Sequence, residues 1–151
     1  MPTRSLLIAT ASSVGALVLL VVVGVWWGQT LLIPPLAASM SLVTAASATP
    51  LGQPRNVIGG QLASAVTGFL VLYAGGANKW SAAVAGGLSV GVMLVLRMTH
   101  SPAAATAVIV ALTDPAPAPF LGLLAVGSLL LVTVGVVAAR AARQPYPVYW
   151  W

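Results

Sequence analysis

One short polar segment, residues 97–102, separates two apolar stretches in the second half of the chain. It contains the only histidine, His100, in a chain with six basic residues and one acidic residue. Ionisable side chains at membrane depth are costly and usually mark a path for a substrate or a proton. Pro102, followed by small residues, favours a helix start, and a helix N-terminus attracts anions. The segment therefore predicts a binding site.

The composition points to lipid as the solvent for much of the chain. Of the 151 residues, 60% are hydrophobic and 5% are charged, against about 25% charged in soluble domains. The mean hydropathy is +1.04. A soluble core of this size could not bury so much apolar surface. We therefore expect an all-α, polytopic membrane protein with the bilayer as a partner, located in the inner (cell) membrane of a bacterium.

Several function classes have little support in the sequence. The chain has no cysteine, one histidine and one acidic residue, so we expect no metal site and no cofactor. The basic residues are scattered, which gives no footprint for nucleic-acid binding. There is no acid pair, and Ser101 lies too close to His100 in sequence for a nucleophile and its base. We therefore do not expect an enzyme.

Six apolar stretches follow one another in the order long, short, long, long, short, long. They cover residues 5–28, 31–48, 57–74, 81–96, 102–113 and 120–139. This order predicts four long transmembrane helices and two short ones, half-length or re-entrant, with an interfacial tail over residues 142–151. A helix of about a dozen residues extends about 18 Å, short of the ~30 Å hydrocarbon core. Such helices persist at membrane depth only when protein buries them or they line a wet cavity.

The sequence also predicts an internal duplication within one membrane domain, residues 1–151. A shift of 67 residues superposes Gly24 on Gly91, Pro35 on Pro102, Ala37-Ala38 on Ala104-Ala105, Ser39 on Thr106, Pro50 on Pro117, Gly60 on Gly127 and Gly68 on Gly135. The repeats would cover residues 5–75 and 80–141. Glycine and proline fix backbone geometry, so their coincidence is informative. Broken segments at matching places in two halves point to a transport site.

The path of the short helices has two alternatives. If both cross the membrane, the halves are inverted, and all five arginines share one side with Lys79 opposite. If both re-enter, the halves are parallel, and Arg55 and Arg97 lie opposite the remaining basic residues. The positive-inside rule favours crossing.

The polar motifs resemble those of the HPP family of small integral membrane proteins, which is named for a His-Pro-Pro motif. The resemblance is carried by residues 99–106, 34–39 and 53–60, where the chain reads THSPAAAT, PPLAAS and QPRNVIGG. Ser101 occupies the place of the family's first proline. Family members in cyanobacteria and chloroplasts look like nitrite transporters. The resemblance therefore implies transport of a small monovalent anion, with nitrite as the first candidate.

We expect the anion to bind between the N-termini of the two short helices. Backbone N–H groups and hydroxyls would donate hydrogen bonds, arginines would attract the anion, and His100 would act as a neutral donor or as a cation. The candidate binding residues are Pro34, Pro35, Ser39, Arg55, Asn56, Arg97, His100, Ser101, Pro102 and Thr106.

Structural roles are the alternative for several of these residues. His100 could cap its helix, and Arg97 could extend to the membrane surface. Arg55 and Asn56 could fix a linker, and the Ser39 hydroxyl could bond to its own helix. For the whole chain, the main hypothesis is an anion transporter or channel that forms a homo-oligomer. The alternative is a membrane scaffold or accessory subunit without transport activity.

Overall fold

The computed structural model describes residues 3–150. Over this range the chain forms six α-helices and one 3₁₀ turn and has no strand, which confirms the all-helical class. The helices are α1 (Thr3–Trp27), α2 (Pro34–Ala45), α3 (Pro54–Gly75), α4 (Lys79–Val95), α5 (Ala103–Thr113) and α6 (Pro117–Ala142), and the 3₁₀ turn is Pro50–Gly52.

The prediction of four long transmembrane helices is confirmed in part. Among the described residues, three helices are long and apolar enough to cross a membrane: α1, α3 and α6. Helix α4 has 17 residues, or about 26 Å at 1.5 Å per residue. It ends at Val95, close to Arg97, which takes a left-handed conformation with φ of 54°, and the Met98 N–H donates to the Met93 carbonyl. The two short helices, α2 and α5, have 12 and 11 residues.

Proline sets the start of several helices. Pro34, Pro54 and Pro117 occupy first-turn positions in α2, α3 and α6, where the missing N–H costs nothing and the fixed φ favours the helix. Helix α5 begins one residue later than the sequence predicts, because Pro102 is its N-cap residue.

Hydrogen bonds fix the directions of α1, α2 and α6. The Arg4 guanidinium donates to the Ala141 carbonyl at 3.2 Å, which joins the start of α1 to the end of α6. The hydroxyls of Ser13 and Thr44 lie 3.3 Å apart, which joins the first half of α1 to the end of α2. Farther along α1, Leu20 lies with Leu36 of α2 beside Gly127 of α6. With these second contacts, α2 and α6 both run opposite to α1.

The other three helices are oriented by contacts with α3. Gln61 accepts a hydrogen bond from Thr106, and Gly68 lies against Val110, so α3 and α5 run in the same direction. Helix α4 returns against α3 after a turn of three residues, 76–78.

Phe69, late in α3, contacts Phe120 at the start of α6, while Val57, early in α3, clusters with Val132 in the second half of α6. Helix α3 therefore runs opposite to α6, and the six helices of residues 3–150 alternate in direction.

As a result, all five arginines lie at one end of the bundle, which we call the arginine end: Arg4, Arg55, Arg97, Arg140 and Arg143. Lys79 and Asp114, the other two charged residues, lie at the opposite end. These directions are those expected if both short helices cross the membrane.

The outer surface of the bundle is apolar. Val18, Val22 and Val25 on α1 are 54%, 55% and 75% exposed. Such a continuous exposed apolar face is typical of contact with lipid. Two α1 side chains, Ala16 and Leu20, are buried in the core. They pack against side chains of α2 and α6.

The segment after α6 packs onto the linker between α2 and α3. Tyr146 is buried beside Val43, Val57 and Val132, and its hydroxyl donates to the Gly52 carbonyl at 2.9 Å. Burial raises the pKa of the Tyr146 phenol, so the hydroxyl remains a donor throughout the physiological range. The tail is therefore anchored to the protein at Tyr146, although Trp150 is exposed.

We expect Tyr146→Phe to lower the free energy of unfolding by about 1 kcal/mol, the usual contribution of one hydrogen bond. The lost bond leaves the Gly52 carbonyl without its hydroxyl donor. Thermal unfolding of the purified protein in detergent measures the change. Tyr149→Phe is the matched control, because Tyr149 is 39% exposed. Equal melting temperatures for the two variants would contradict this role of Tyr146.

Candidate functional site

His100 lies in the linker between α4 and α5 and is fully buried. Its Nδ1 is 2.7 Å from the Leu51 carbonyl oxygen, and its Nε2 is 2.7 Å from the Ser39 hydroxyl. A carbonyl can only accept, so Nδ1 must carry a proton. In the neutral ring, Nε2 is then an acceptor and Ser39 donates to it.

The hydrogen bonds continue from Ser39 through α3 to α5. Gln61 donates from Nε2 to the Ser39 hydroxyl oxygen at 3.0 Å, and its Oε1 accepts from the Thr106 hydroxyl. We call these four side chains, Ser39, Gln61, His100 and Thr106, the His100 network. All four are fully buried. The network joins α2, α3, α5 and the α4–α5 linker through uncharged groups alone.

Gln61 is the member of the network that the sequence reasoning missed. It is the eighth residue of α3 and the only side-chain amide in that helix beyond its first turn. A buried amide in such a helix needs hydrogen-bond partners. This requirement could have identified Gln61 from the sequence as a member of a polar site. Its partners, Ser39 and Thr106, are 22 and 45 residues away in sequence.

Arg55 and Asn56 hold the α4–α5 linker. The Arg55 guanidinium donates to the Leu96 carbonyl at 3.2 Å, and the Asn56 amide donates to the Thr99 carbonyl at 3.0 Å. Both side chains therefore fix the backbone on which His100 lies. They do so from the first turn of α3.

The linker can approach α3 this closely because residue 60 is glycine. A Cβ at Gly60 would lie 2.7 Å from the His100 Cβ and 2.8 Å from the Met98 carbonyl oxygen. Both distances are shorter than real Cβ contacts, so a larger residue would displace the linker. Gly60 thus helps to bring the imidazole to Ser39.

Other predicted site residues lie outside the network. Arg97 and Ser101 are exposed at the arginine end, with Pro102 half-buried beside them. Pro34 is exposed at the start of α2. Pro35 is buried, and its carbonyl oxygen lies 2.8 Å from the Ser39 hydroxyl, as an alternative acceptor for the Ser39 proton.

The two short helices do not present a pair of free N-termini to one another. The two helices run in opposite directions, and local carbonyls already bind their first amides. Ile33 accepts from the N–H groups of Leu36 and Ala37, while the Ala103 N–H donates to the His100 carbonyl. What the helices bring together is their first and second turns, at Ser39 and Thr106.

No acidic side chain takes part in the network, because the only one in the chain is Asp114, the C-cap residue of α5. Among the described residues, no three His, Cys, Asp or Glu side chains are grouped to hold a metal ion. The arrangement can donate hydrogen bonds to a small anion or hold a proton on the imidazole.

Long apolar helices around a buried polar network define a polytopic helical membrane protein. The comparison with known families identifies it further. Residues 1–147 match the transmembrane region of HPP proteins, and the chain belongs to this family of integral membrane proteins.

Two transmembrane proteins of Dictyostelium discoideum are similar to the chain. One is 32% identical over 129 residues, which cover 80% of this chain and 45% of the relative. The other is 32% identical over 126 residues, which cover 76% of this chain and 40% of the relative. The chain thus spans less than half the length of these relatives. No solved structure matches it.

Proposed function

We propose that this protein carries a small monovalent anion across a membrane and that the His100 network is its binding site. One observation carries the proposal: four uncharged polar side chains are fully buried together inside an apolar bundle. Polar groups at membrane depth are costly and usually mark a substrate path. The family resemblance makes nitrite the first anion to test.

In this proposal each short helix, together with the linker that precedes it, spans the membrane. The Arg97–Pro102 segment completes the crossing of α5, and the residues between Trp27 and Pro34 complete that of α2. Crossing is supported by the alternating helix directions and by the five arginines at one end. By the positive-inside rule, the arginine end faces the cytoplasm.

The proposal includes the duplication with inverted halves. Its support is that Gly68 packs against Val110, while Gly135 packs against Val43. A shift of 67 residues converts the first pair into the second. The same shift converts Ser39 into Thr106, the two hydroxyls that Gln61 bridges.

The helix packing fits the same duplication. Helix α3, from the first half, packs with α4 and α5 of the second, and α6 packs with α1 and α2 of the first. Each half would therefore exchange its third helix with the other. Inverted repeats of this kind commonly enclose a transport site at their interface.

An anion in this site would replace hydrogen bonds that the network now makes within itself. The Ser39 and Thr106 hydroxyls and the Gln61 amide would turn toward it as neutral donors. Neutral donors bind weakly enough for release, which transport requires. The arginine end would raise the local concentration of anions by its positive potential.

The transport proposal is tested with purified protein in liposomes, by measuring the flux of nitrite, nitrate, formate and chloride. We expect Thr106→Val to reduce nitrite flux about tenfold, equivalent to about 1.4 kcal/mol, because Thr106 hydrogen-bonds Gln61. Thr113→Val is the matched control on the same helix, because the exposed Thr113 hydroxyl bonds only to its own helix at Ile109.

Absence of flux for all four anions, with protein that melts cooperatively, would contradict transport. That result would leave the scaffold role as the better description. Equal flux for the two threonine variants would instead remove Thr106 from the site.

A further inference from the structure

The Ser39 hydroxyl has one proton and two acceptors for it. The Pro35 carbonyl oxygen lies 2.8 Å away and the His100 Nε2 lies 2.7 Å away. The Gln61 amide donates to the same oxygen at 3.0 Å. With a neutral ring, the Ser39 proton points to Nε2, and the hydrogen bonds all run in one direction from Thr106 to Leu51.

A second arrangement satisfies the same atoms with one more proton. If Nε2 is protonated, it donates to the Ser39 oxygen, and the Ser39 proton turns to the Pro35 carbonyl. The Ser39 oxygen then accepts two hydrogen bonds, from His100 and Gln61, and donates one, which saturates a hydroxyl. No heavy atom has to move between the two arrangements.

Within residues 3–150, which the structure describes, the charge of this second arrangement has no acidic partner. Helix α2, the 3₁₀ turn and α5 offer His100 only neutral groups, and α3 offers Arg55, which donates to the linker at Leu96. On its own linker the charged neighbour is Arg97, also a cation. Asp114 lies at the opposite end of the bundle. An unpaired buried charge costs several kcal/mol, so an anion bound from outside would stabilise the imidazolium.

We infer that His100 takes up a proton together with the transported anion, so that the protein moves one proton and one anion in the same direction. This inference rests on the proposed transport function. The proton passes from water on one side to Nε2 and from Nε2 to water on the other side. No other bond forms or breaks. Each ligand favours the other because their charges cancel, and this coupling is reciprocal.

The stoichiometry can be measured in liposomes that contain a pH-sensitive dye. Under a nitrite gradient, we expect one proton to enter with each anion and no net current across the membrane. Protein-free liposomes give the unassisted leak of nitrous acid, which is subtracted. Anion flux that carries current and no protons would overturn the inference while leaving transport intact. Absence of any anion flux would overturn the transport proposal itself.

A second readout does not depend on flux. Because His100 is the only histidine, ¹⁵N-histidine labelling of a tag-free protein gives the signals of one imidazole. Without nitrite we expect the neutral ring with its proton on Nδ1. With saturating nitrite we expect a second N–H, on Nε2. An unchanged ring in protein that transports nitrite would overturn the inference.

A carboxylate introduced into the His100 network should balance the charge of the imidazolium in place of the transported anion. Gln61→Glu is nearly isosteric and provides a negative charge two hydrogen bonds away from His100, through Ser39. We expect its imidazole to be doubly protonated without nitrite and its nitrite flux to be lost. Gln29→Glu is the control, because Gln29 is exposed in the α1–α2 loop. A neutral ring in Gln61→Glu would count against the charge argument.

Discussion

Nitrite flux through Gln61→Leu is expected to fall about a hundredfold, because both hydrogen bonds that join α2 to α5 through α3 are lost. Gln61 is bonded to the Ser39 and Thr106 hydroxyls at its two polar atoms. Each such bond contributes about 0.5–1.5 kcal/mol, and a hundredfold change corresponds to about 2.7 kcal/mol. Leucine has a similar volume, so the loss is chiefly one of polar contacts.

The fold should survive this substitution. Ser39 already has a second acceptor, the Pro35 carbonyl, and the Thr106 hydroxyl can turn to a carbonyl of its own helix. We therefore expect a cooperative melting transition, lowered by a few degrees. Thr67→Val is the control on the same helix, since Thr67 bonds only to Ala63 in its own helix. Flux near the wild-type value in Gln61→Leu would exclude the network as the transport site.

Local signals were sufficient to predict the helical class and the position of the polar linker. The predicted stretch 57–74 became α3, Pro54–Gly75, and the stretch 120–139 became α6, Pro117–Ala142. Prolines lie within the first turns of both helices, because proline fixes the backbone wherever it occurs. His100 was predicted as a site residue because a lone histidine in an apolar chain is conspicuous.

The partners of His100 could not be predicted from the sequence. They depend on how α2, the 3₁₀ turn and α3 pack together, and Leu51 contributes only its backbone carbonyl. A backbone carbonyl has no sequence signature. The sequence also suggested that helix N-termini would provide donors, but the Ile33 and His100 carbonyls bind the first amides of the short helices.

The end of α4 was predicted within one residue, at 96 against Val95, but local composition does not reveal the backbone conformation at that end. The apolar stretch continues to Leu96, and nothing before it breaks a helix. The helix ends close to Arg97, which takes a positive φ, a conformation that is uncommon outside glycine. The linker carbonyls beyond it are then held by Arg55 and Asn56.

Alanine at Gly68 or Gly135 is expected to destabilise the protein by about 1–3 kcal/mol, the usual cost of overpacking. A Cβ at Gly68 would lie 2.9 Å from the Ala107 carbonyl oxygen and 2.9 Å from the Val110 Cβ. A Cβ at Gly135 would overlap the Val43 side chain. Gly91→Ala is the control, because no atom outside its own helix lies within 4 Å of the added Cβ. Because alanine replaces a glycine within a helix, Gly91→Ala should raise the free energy of unfolding by about 0.5–1 kcal/mol.

Compensating substitutions distinguish the two sites, although the 67-residue shift relates them. Val43→Ala removes the methyl group that Gly135→Ala would meet, so the double variant should recover most of the lost stability. Val110→Ala keeps the Val110 Cβ and leaves the Ala107 backbone in place, so it should not rescue Gly68→Ala. Chemical denaturation of the four variants and the two pairs measures both outcomes. Equal rescue at both sites would mean that α5 can move away from α3. The close packing at Gly68 would then not be required to keep Thr106 in contact with Gln61.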